Sequence, residues 1–343
     1  MGVSVMSAEE FVEYFRGTRL LKEYLRLQKH RISVYNITAV EDYIYCPVCR
    51  VLIPKPRRPW RTWDGVHCPR CKEGEVSEIR IEPYEVYNEI VNDLKASEKK
   101  IVIAMAHEIE NDILWREYLQ YIYGVGPVMG FFICKILRPS RFHHWGAMMK
   151  YCGLHVEHIC PKCDFRSDRY IEYCPKCGSE IIHRAPQRRK GRGVEWNPLA
   201  RMMCYRLGTS FLKTGKFYKA ICHEFYRKVK ARRPGITEKH AWRDAIRRTV
   251  KLFLGHVWQV GRILEGLPVE LPYPVAMHLD SYIIPVMDRK EPKDITKMWY
   301  IREMMRKYNV SERDIERLLE WADRVVVKRK REKRKRNKEE STQ

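Results

Sequence analysis

Eight of the twelve cysteines fall into four Cys-Pro-x-Cys steps: Cys46-Pro-Val-Cys49, Cys68-Pro-Arg-Cys71, Cys160-Pro-Lys-Cys163 and Cys174-Pro-Lys-Cys177. A two-residue gap presents two thiolates from one tight turn, an arrangement that chelates a metal ion and would strain as a disulfide ladder. Eighteen residues separate the first two steps and ten separate the last two. Each pair of steps therefore predicts one four-cysteine site closing around a tetrahedral Zn²⁺ with no open position, so both expected ions are structural. Cys134, Cys152, Cys204 and Cys222 are left over, and buried thiols are the expectation for them. Thiol chemistry of this kind belongs to a reducing compartment.

Other side chains offer less. His143 and His144 are adjacent and read as surface or satisfied core histidines. Glu41 and Asp42 read as a solvated charge pair, and no residue qualifies as catalytic. A second set of candidates is cationic. Lys and Arg number 66 against 43 Asp and Glu, a formal charge of +23, which makes a polyanion the leading partner. From Arg184 to Arg262 the charge is +17, including Arg188, Arg189, Lys190 and Arg192. Concentration of one sign on a helical region favours a face that binds nucleic-acid backbone, with Phe211, Phe217, Tyr218, Phe225, Tyr226 and Trp242 as expected aromatic partners. The loop from Pro54 to Trp63 likewise mixes cations with Trp60 and Trp63.

The elements that would position these residues are mostly helical. Leu119 to Leu137 reads as helix, Gly124-Val125-Gly126 hairpin and helix, the helix-hairpin-helix pattern. Both glycines are expected at positive φ, Val125 between the helices, and Pro127 at the first helical position. The turn amides would face a DNA phosphate, with Lys135, Arg138 and Arg141 nearby, a grip on the backbone that reads no sequence. Residues 1–44 form a helical lead-in opened by the capping box Ser7-Ala-Glu-Glu10. The first zinc ribbon spans 45–84, and 85–123 is a long coiled-coil-like helix suited to packing or homo-oligomerisation. The helix-hairpin-helix takes 124–158, the second ribbon is inserted at 159–183, and the basic helical region follows at 184–266. The sequence closes with a helical region at 267–327, where Ser311-Glu-Arg-Asp314 caps a helix, and a basic disordered tail at 328–343. The fold class is mainly α, with two small zinc-ribbon modules of β structure. No apolar run approaches the ~20 residues that span a bilayer. The N-terminus lacks the order of a signal peptide, so the expected place is the cytoplasm, at the nucleoid.

The order of long helix, Tyr123-Gly124-Val125-Gly126-Pro127, Arg141-Phe142 and Tyr151-Cys-Gly153-Leu154 resembles the C-terminal transposase domain of the IS-one-ten family. These are the bridge-RNA-guided insertion-sequence recombinases of the IS-one-one-six and IS-nine-zero-two type. Asn197-Pro-Leu199-Ala-Arg201-Met-Met resembles that domain's Leu-Arg helix. Phe217-Tyr218 to Lys230 and Trp242 to Leu254 resemble its closing helices. The likeness covers residues 85 to 265 and implies DNA transposition or recombination, with duplex or branched DNA as partner. Structured RNA is an alternative partner. The family's N-terminal RuvC-like domain has no counterpart here, and its catalytic serine falls in an interval occupied by the second ribbon. Ser167 and Ser179 match no family motif and inherit no role. The resemblance therefore implies DNA binding more than catalysis; an active serine recombinase working with a separate nuclease or RNA partner is the alternative.

Overall fold

The computed structural model describes residues 6–38, 42–54, 64–80, 85–167, 170–188, 191, 193–269 and 285–340. The fold is mainly helical, with two small antiparallel sheets. The described residues divide into two compact units, one within 18–104 and the other from 1–17 together with 105–343. No helix among them is long and apolar enough to cross a membrane.

Residues 18–104 hold most of α1 (Ala8–Thr38), strands β1 (Asp42–Tyr45), β2 (Leu52–Pro54) and β3 (Ser77–Arg80), and most of α2 (Glu85–Ile109). The sheet order is β2-β1-β3, with Ile44 paired to Ile53 and to Glu78. On the helices, Glu98 is buried and takes both nitrogens of the Arg31 fork at 2.7 and 3.4 Å. Such a pair specifies how α1 meets α2 more than it stabilises the contact, because desolvating both charges offsets much of their attraction.

The second unit begins with the Ser7–Glu10 capping box, whose reciprocal bonds measure 2.9 and 3.2 Å. The helix expected over 85–123 is broken. α2 ends at Ile109, and the Asp112 carboxylate accepts from the Leu114 and Trp115 amides to start α3 (Ile113–Glu117). Asp prefers such a cap to a helix interior, which is why the apolar period across this point is discontinuous in space. A 3-10 turn over Leu119–Tyr121 then leads into the hairpin.

In the hairpin, Val125 is 1% exposed and Pro127 opens α4 (Pro127–Phe131), both as expected. Only Gly124 has positive φ, at +95°; Gly126 sits at φ −105° as an ordinary N-cap residue. The need for glycine at 124 is double, since a Cβ there would also lie 2.8 Å from the Phe211 ring. The helical path continues from α4 as a π-helical segment over Phe132–Leu137 and stops at Arg138, which is left-handed at φ 46°.

After α5 (Trp145–Tyr151) the second ribbon supplies β4 (Glu157–Ile159), β5 (Arg166–Ser167) and β6 (Ile182–Arg184), ordered β5-β4-β6. The core is built by α6 (Pro198–Thr214), α7 (Phe217–Arg232) and α8 (Glu238–Leu264), with α8 packed on both others. Every residue from Leu252 to Arg262 is buried, and Trp258 donates to the Phe142 carbonyl at 2.8 Å. Phe211, Phe217, Tyr218 and Phe225, expected beside the basic face, are instead core: each is 4% exposed or less. Their apolar spacing matches the inward stripe of α6 and α7, and burial of such side chains contributes about 1.5–3 kcal/mol apiece. Cys134, Cys152, Cys204 and Cys222 are buried as expected.

The segment after residue 284 ties down the hairpin. One oxygen of the buried Asp288 carboxylate accepts from the Tyr123 amide at 2.7 Å, and the other from Lys216 and Phe217 at 3.2 and 3.0 Å. Burial pushes this carboxyl above its usual range, against the pull of those amides. Asp288→Asn keeps the volume but turns an NH₂ towards one of the two donor sets. It should therefore cost about 1–3 kcal/mol in urea unfolding, and Asp288→Ala at least as much. Unfolding midpoints equal to wild type for both variants would remove this tie from the account. The chain closes with α9 (Pro292–Ile295), α10 (Trp299–Tyr308) and α11 (Glu312–Glu340). Ser311 and Asp314 cap α11 reciprocally at 2.9 and 3.3 Å, and α11 packs on α7. The basic tail expected as a disordered arm is helical through Glu340, consistent with the strong helix propensity of Lys, Arg and Glu.

Candidate nucleic-acid interface and metal centres

The four Cys-Pro-x-Cys steps meet in the predicted pairs. In each set all four sulfurs lie within 4.8 Å of one another. Cys46 and Cys71 are 3.6 Å apart, as are Cys49 and Cys68; Cys160 and Cys177 are at 3.4 Å and Cys163 and Cys174 at 3.5 Å. These separations far exceed the ~2.05 Å of a disulfide. They approach the ~3.8 Å edge of a thiolate tetrahedron built on metal–sulfur bonds of about 2.3 Å. Each set can hold one tetrahedral metal ion.

The local fold explains how. In every step the residue after the second cysteine is left-handed: Arg50 at φ 51°, Lys72 at 63°, Asp164 at 54° and Gly178 at 69°. That reversal brings backbone amides onto the sulfurs. The amides of Glu73 and Gly74 pull the Cys71 thiol down to about 6, and the hydroxyl and amide of Ser179 do the same for Cys177. Amide donors favour thiolate, the form that ligates. Burial pushes Cys49 up to about 12, so that thiol loses its proton on binding a cation.

The second feature is an open groove of about 1080 Å³ within the larger unit. Seven arginines line it (Arg184, Arg201, Arg232, Arg233, Arg243, Arg247 and Arg248) against one acid, Asp244. Five separate stretches converge here: Gly153-Leu154 after α5, β6 with the residues up to Gln187, the middle of α6, the end of α7 and the first turns of α8. Gly153 is left-handed at φ +63°, and a Cβ there would lie 2.8 Å from Trp196 and 3.1 Å from the Arg201 stem. Only glycine lets the chain turn that close to Arg201.

The guanidiniums are held in place. Arg201 lies over the Trp196 ring at 4.7 Å and donates to the Pro186 carbonyl at 2.8 Å, while its Nη1 is buried without a hydrogen-bond partner. Arg247 donates to the Leu154 carbonyl at 3.3 Å and to Asp244 at 3.4 Å. Asp244 also accepts from Arg233 at 2.7 Å and Arg248 at 3.5 Å, so one carboxylate organises three cations. Burial lowers the pKa of Arg201 and of Arg247, and each is lowered further by neighbouring guanidiniums. Nη2 and Nε of Arg184 are also buried without hydrogen-bond partners, although Nε lies 3.9 Å from the Glu157 carboxylate. Crowded, partly desolvated guanidiniums are suited to binding a multivalent anion bidentately.

Of the cations predicted to bind nucleic acid, Arg188 is exposed just beyond the groove-lining Gln187, while Arg189, Lys190 and Arg192 lie outside the described residues. The cations and indoles of 55–63 lie outside them too. At the hairpin, Gly126 is exposed, but Arg138 pairs with Glu10 and Glu13 at 3.4 and 4.0 Å. Arg141 is enclosed by the rings of Phe142, Tyr151 and Tyr14 at 4.9, 4.9 and 5.7 Å. Lys135 is half-buried beside Asp112 and Arg138 in a separate small cavity. Arg138 and Arg141 are thus engaged within the protein, and all three cations are partly enclosed. Sequence reasoning singled out none of the seven groove arginines as binding residues. The available signal was Arg243, Arg247 and Arg248 at helical spacing beside the apolar stripe of α8.

Fold and site together define a mainly helical protein with two four-cysteine clusters, each able to hold a metal ion, and a guanidinium-lined groove. No protein-family model, curated protein or solved structure matches this chain.

Proposed function

We propose that this chain is a zinc-containing DNA-binding protein acting in the transposition or recombination of a mobile element, and that it holds the DNA backbone in the arginine groove. The observation that carries the reading is the ratio of seven arginines to one acid in a single concave surface. Phosphodiesters, one negative charge per nucleotide, are the polyanion that such a surface fits. The proposal assigns Zn²⁺ to both sites, an ion that tetrahedral four-thiolate sets suit, and makes each ion structural. The transposase-like part of the reading is supported by where the motifs of the resemblance meet. Leu154, Arg201 and Arg247 line the groove, and the Asn197 side chain caps α6 while donating to the Tyr151 hydroxyl at 2.7 Å. Self-association through α2 is part of the proposal, on the exposed Val86, Ile90 and Ile103.

The test is a salt titration of duplex binding by fluorescence anisotropy. The logarithm of affinity should fall linearly with that of salt, with a slope of about −0.9 per phosphate neutralised, and similarly for unrelated sequences. Undetectable binding at about 50 mM salt, or a flat response, would sink the proposal. The hairpin is the second proposed contact, and Gly126→Asp isolates it. Nothing lies within 4 Å of a Cβ at 126, and its φ is ordinary, so the fold should tolerate the change. A carboxylate beside α4's free amides should weaken duplex binding about three- to tenfold for all sequences alike. Unchanged affinity removes the hairpin from the interface.

A further inference from the structure

The second ribbon carries a ring stack beside the groove that metal binding does not explain. His158 on β4 and His183 on β6 are cross-strand partners, with their Nδ1 atoms 2.6 Å apart and their rings edge to face at 4.8 Å. Tyr170 lies parallel over His183, at 4.6 Å and 18°, yet is 71% exposed. His183 itself lines the groove, next to Arg184. A second tyrosine, Tyr205 of α6, is 53% exposed and lines the same groove. Large aromatic faces presented to water at the edge of a cationic channel are the pattern by which proteins hold unpaired bases, stacking on the rings while guanidiniums follow the phosphates.

We propose that the groove takes single-stranded DNA, with phosphates on Arg184, Arg232 and Arg243 and with bases stacked on Tyr170 and Tyr205. The inference rests on the reading of the groove as a DNA site and narrows it: inside a duplex the base faces are covered by their neighbours, so a ring platform discriminates in favour of an unpaired segment. It also gives the second ribbon a task, that of holding β6 and the ring stack at the mouth of the groove.

The test uses the full-length protein and three labelled probes of one sequence: a mixed-sequence single-stranded DNA 20-mer, the same strand as RNA, and the duplex. Tyr170→Ala with Tyr205→Ala should weaken single-stranded DNA about tenfold or more, leave the duplex within about twofold, and leave the zinc content at the wild-type value. Tyr170→Phe with Tyr205→Phe should restore binding, because the ring and not the hydroxyl is required. Equal losses on single strand and duplex, or no loss on the single strand, would overturn the inference. So would a wild-type protein that binds duplex but no single strand. A wild-type preference for the RNA strand, lost in the alanine variant, would overturn the assignment to DNA and leave the stacking platform in place. Absence of binding to every probe would refute the reading of the groove itself.

Discussion

Replacing Cys174 by Ser should lower the metal content from two zinc ions per chain to one and unfold the second ribbon while the helical core stays folded. The apolar core of that ribbon consists of Cys160, Cys174 and Ile181, with Phe165, Ile171 and Cys177 against it. Of these only Ile181, Phe165 and Ile171 are hydrocarbon side chains, worth at most about 1.5–3 kcal/mol each when fully buried. Ordering the backbone costs about 1–2 kcal/mol per residue, so over a module of this length the apolar term falls well short. A bound zinc ion would offset much of that shortfall, since structural zinc in small modules contributes roughly 10–16 kcal/mol of apparent binding energy at neutral pH. Loss of the buried Cys174 thiolate should remove several kcal/mol of that. Proteolysis confined to 159–183, with helical circular dichroism retained, is the expected signature. Because β6 carries His183 and Arg184 into the groove, Cys174→Ser should also weaken nucleic-acid binding. Cys46→Ser, in the other unit, should cost one zinc ion and leave the groove unaltered. Elemental analysis showing no zinc in the native protein would remove both sites from this account.

Charge reversal in the groove should have the largest effect on binding. Arg232 and Arg243 are exposed groove residues, so Arg232→Glu with Arg243→Glu should leave the melting temperature near wild type. Each charge-assisted contact to phosphate is worth about 1.5–3 kcal/mol, or roughly tenfold or more in affinity. The double variant should therefore bind DNA about a hundredfold or more weakly, with a salt slope shallower by about two units. Arg247 is the wrong residue for this experiment, because it also holds the Leu154 carbonyl and Asp244. A double variant with wild-type affinity and slope would place the interface elsewhere, with the basic part of α11 the next surface to test.

What could be read from the sequence was what is local. Metal ligation needs two cysteines on one turn, and the spacing announces it; the left-handed residue that closes each turn is announced at Gly178 and more weakly at Asp164, because Arg50 and Lys72 take up a conformation their types do not advertise. The hairpin was legible through Val125 and Pro127, whereas the φ of Gly126 depended on how α4 begins. A net charge of +17 between Arg184 and Arg262 was visible, but not which cations face one space. Arg201, Arg232 and Arg247 come from three different helices, and Arg262, in the same segment, is buried on the Ser140, Phe142 and Pro268 carbonyls. The misplaced aromatics follow from the same limit. Phe211 and Tyr218 sit among basic residues in the sequence but pack on each other and on Phe253, with centroids 4.9 to 5.0 Å apart in the fold. Asp112 starts a new helix where the apolar period alone would have continued the old one.

The measurement that bears most directly on the central claim is amide hydrogen exchange with and without saturating DNA. Binding in the groove predicts slowed exchange at Gly153–Val156, at Ala185–Arg188 and across the turn from Arg232 to Ile236, with the ribbon at 42–80 unaffected. Protection confined to the first ribbon or to α11, with those three segments exchanging as they do in the free protein, would contradict the account.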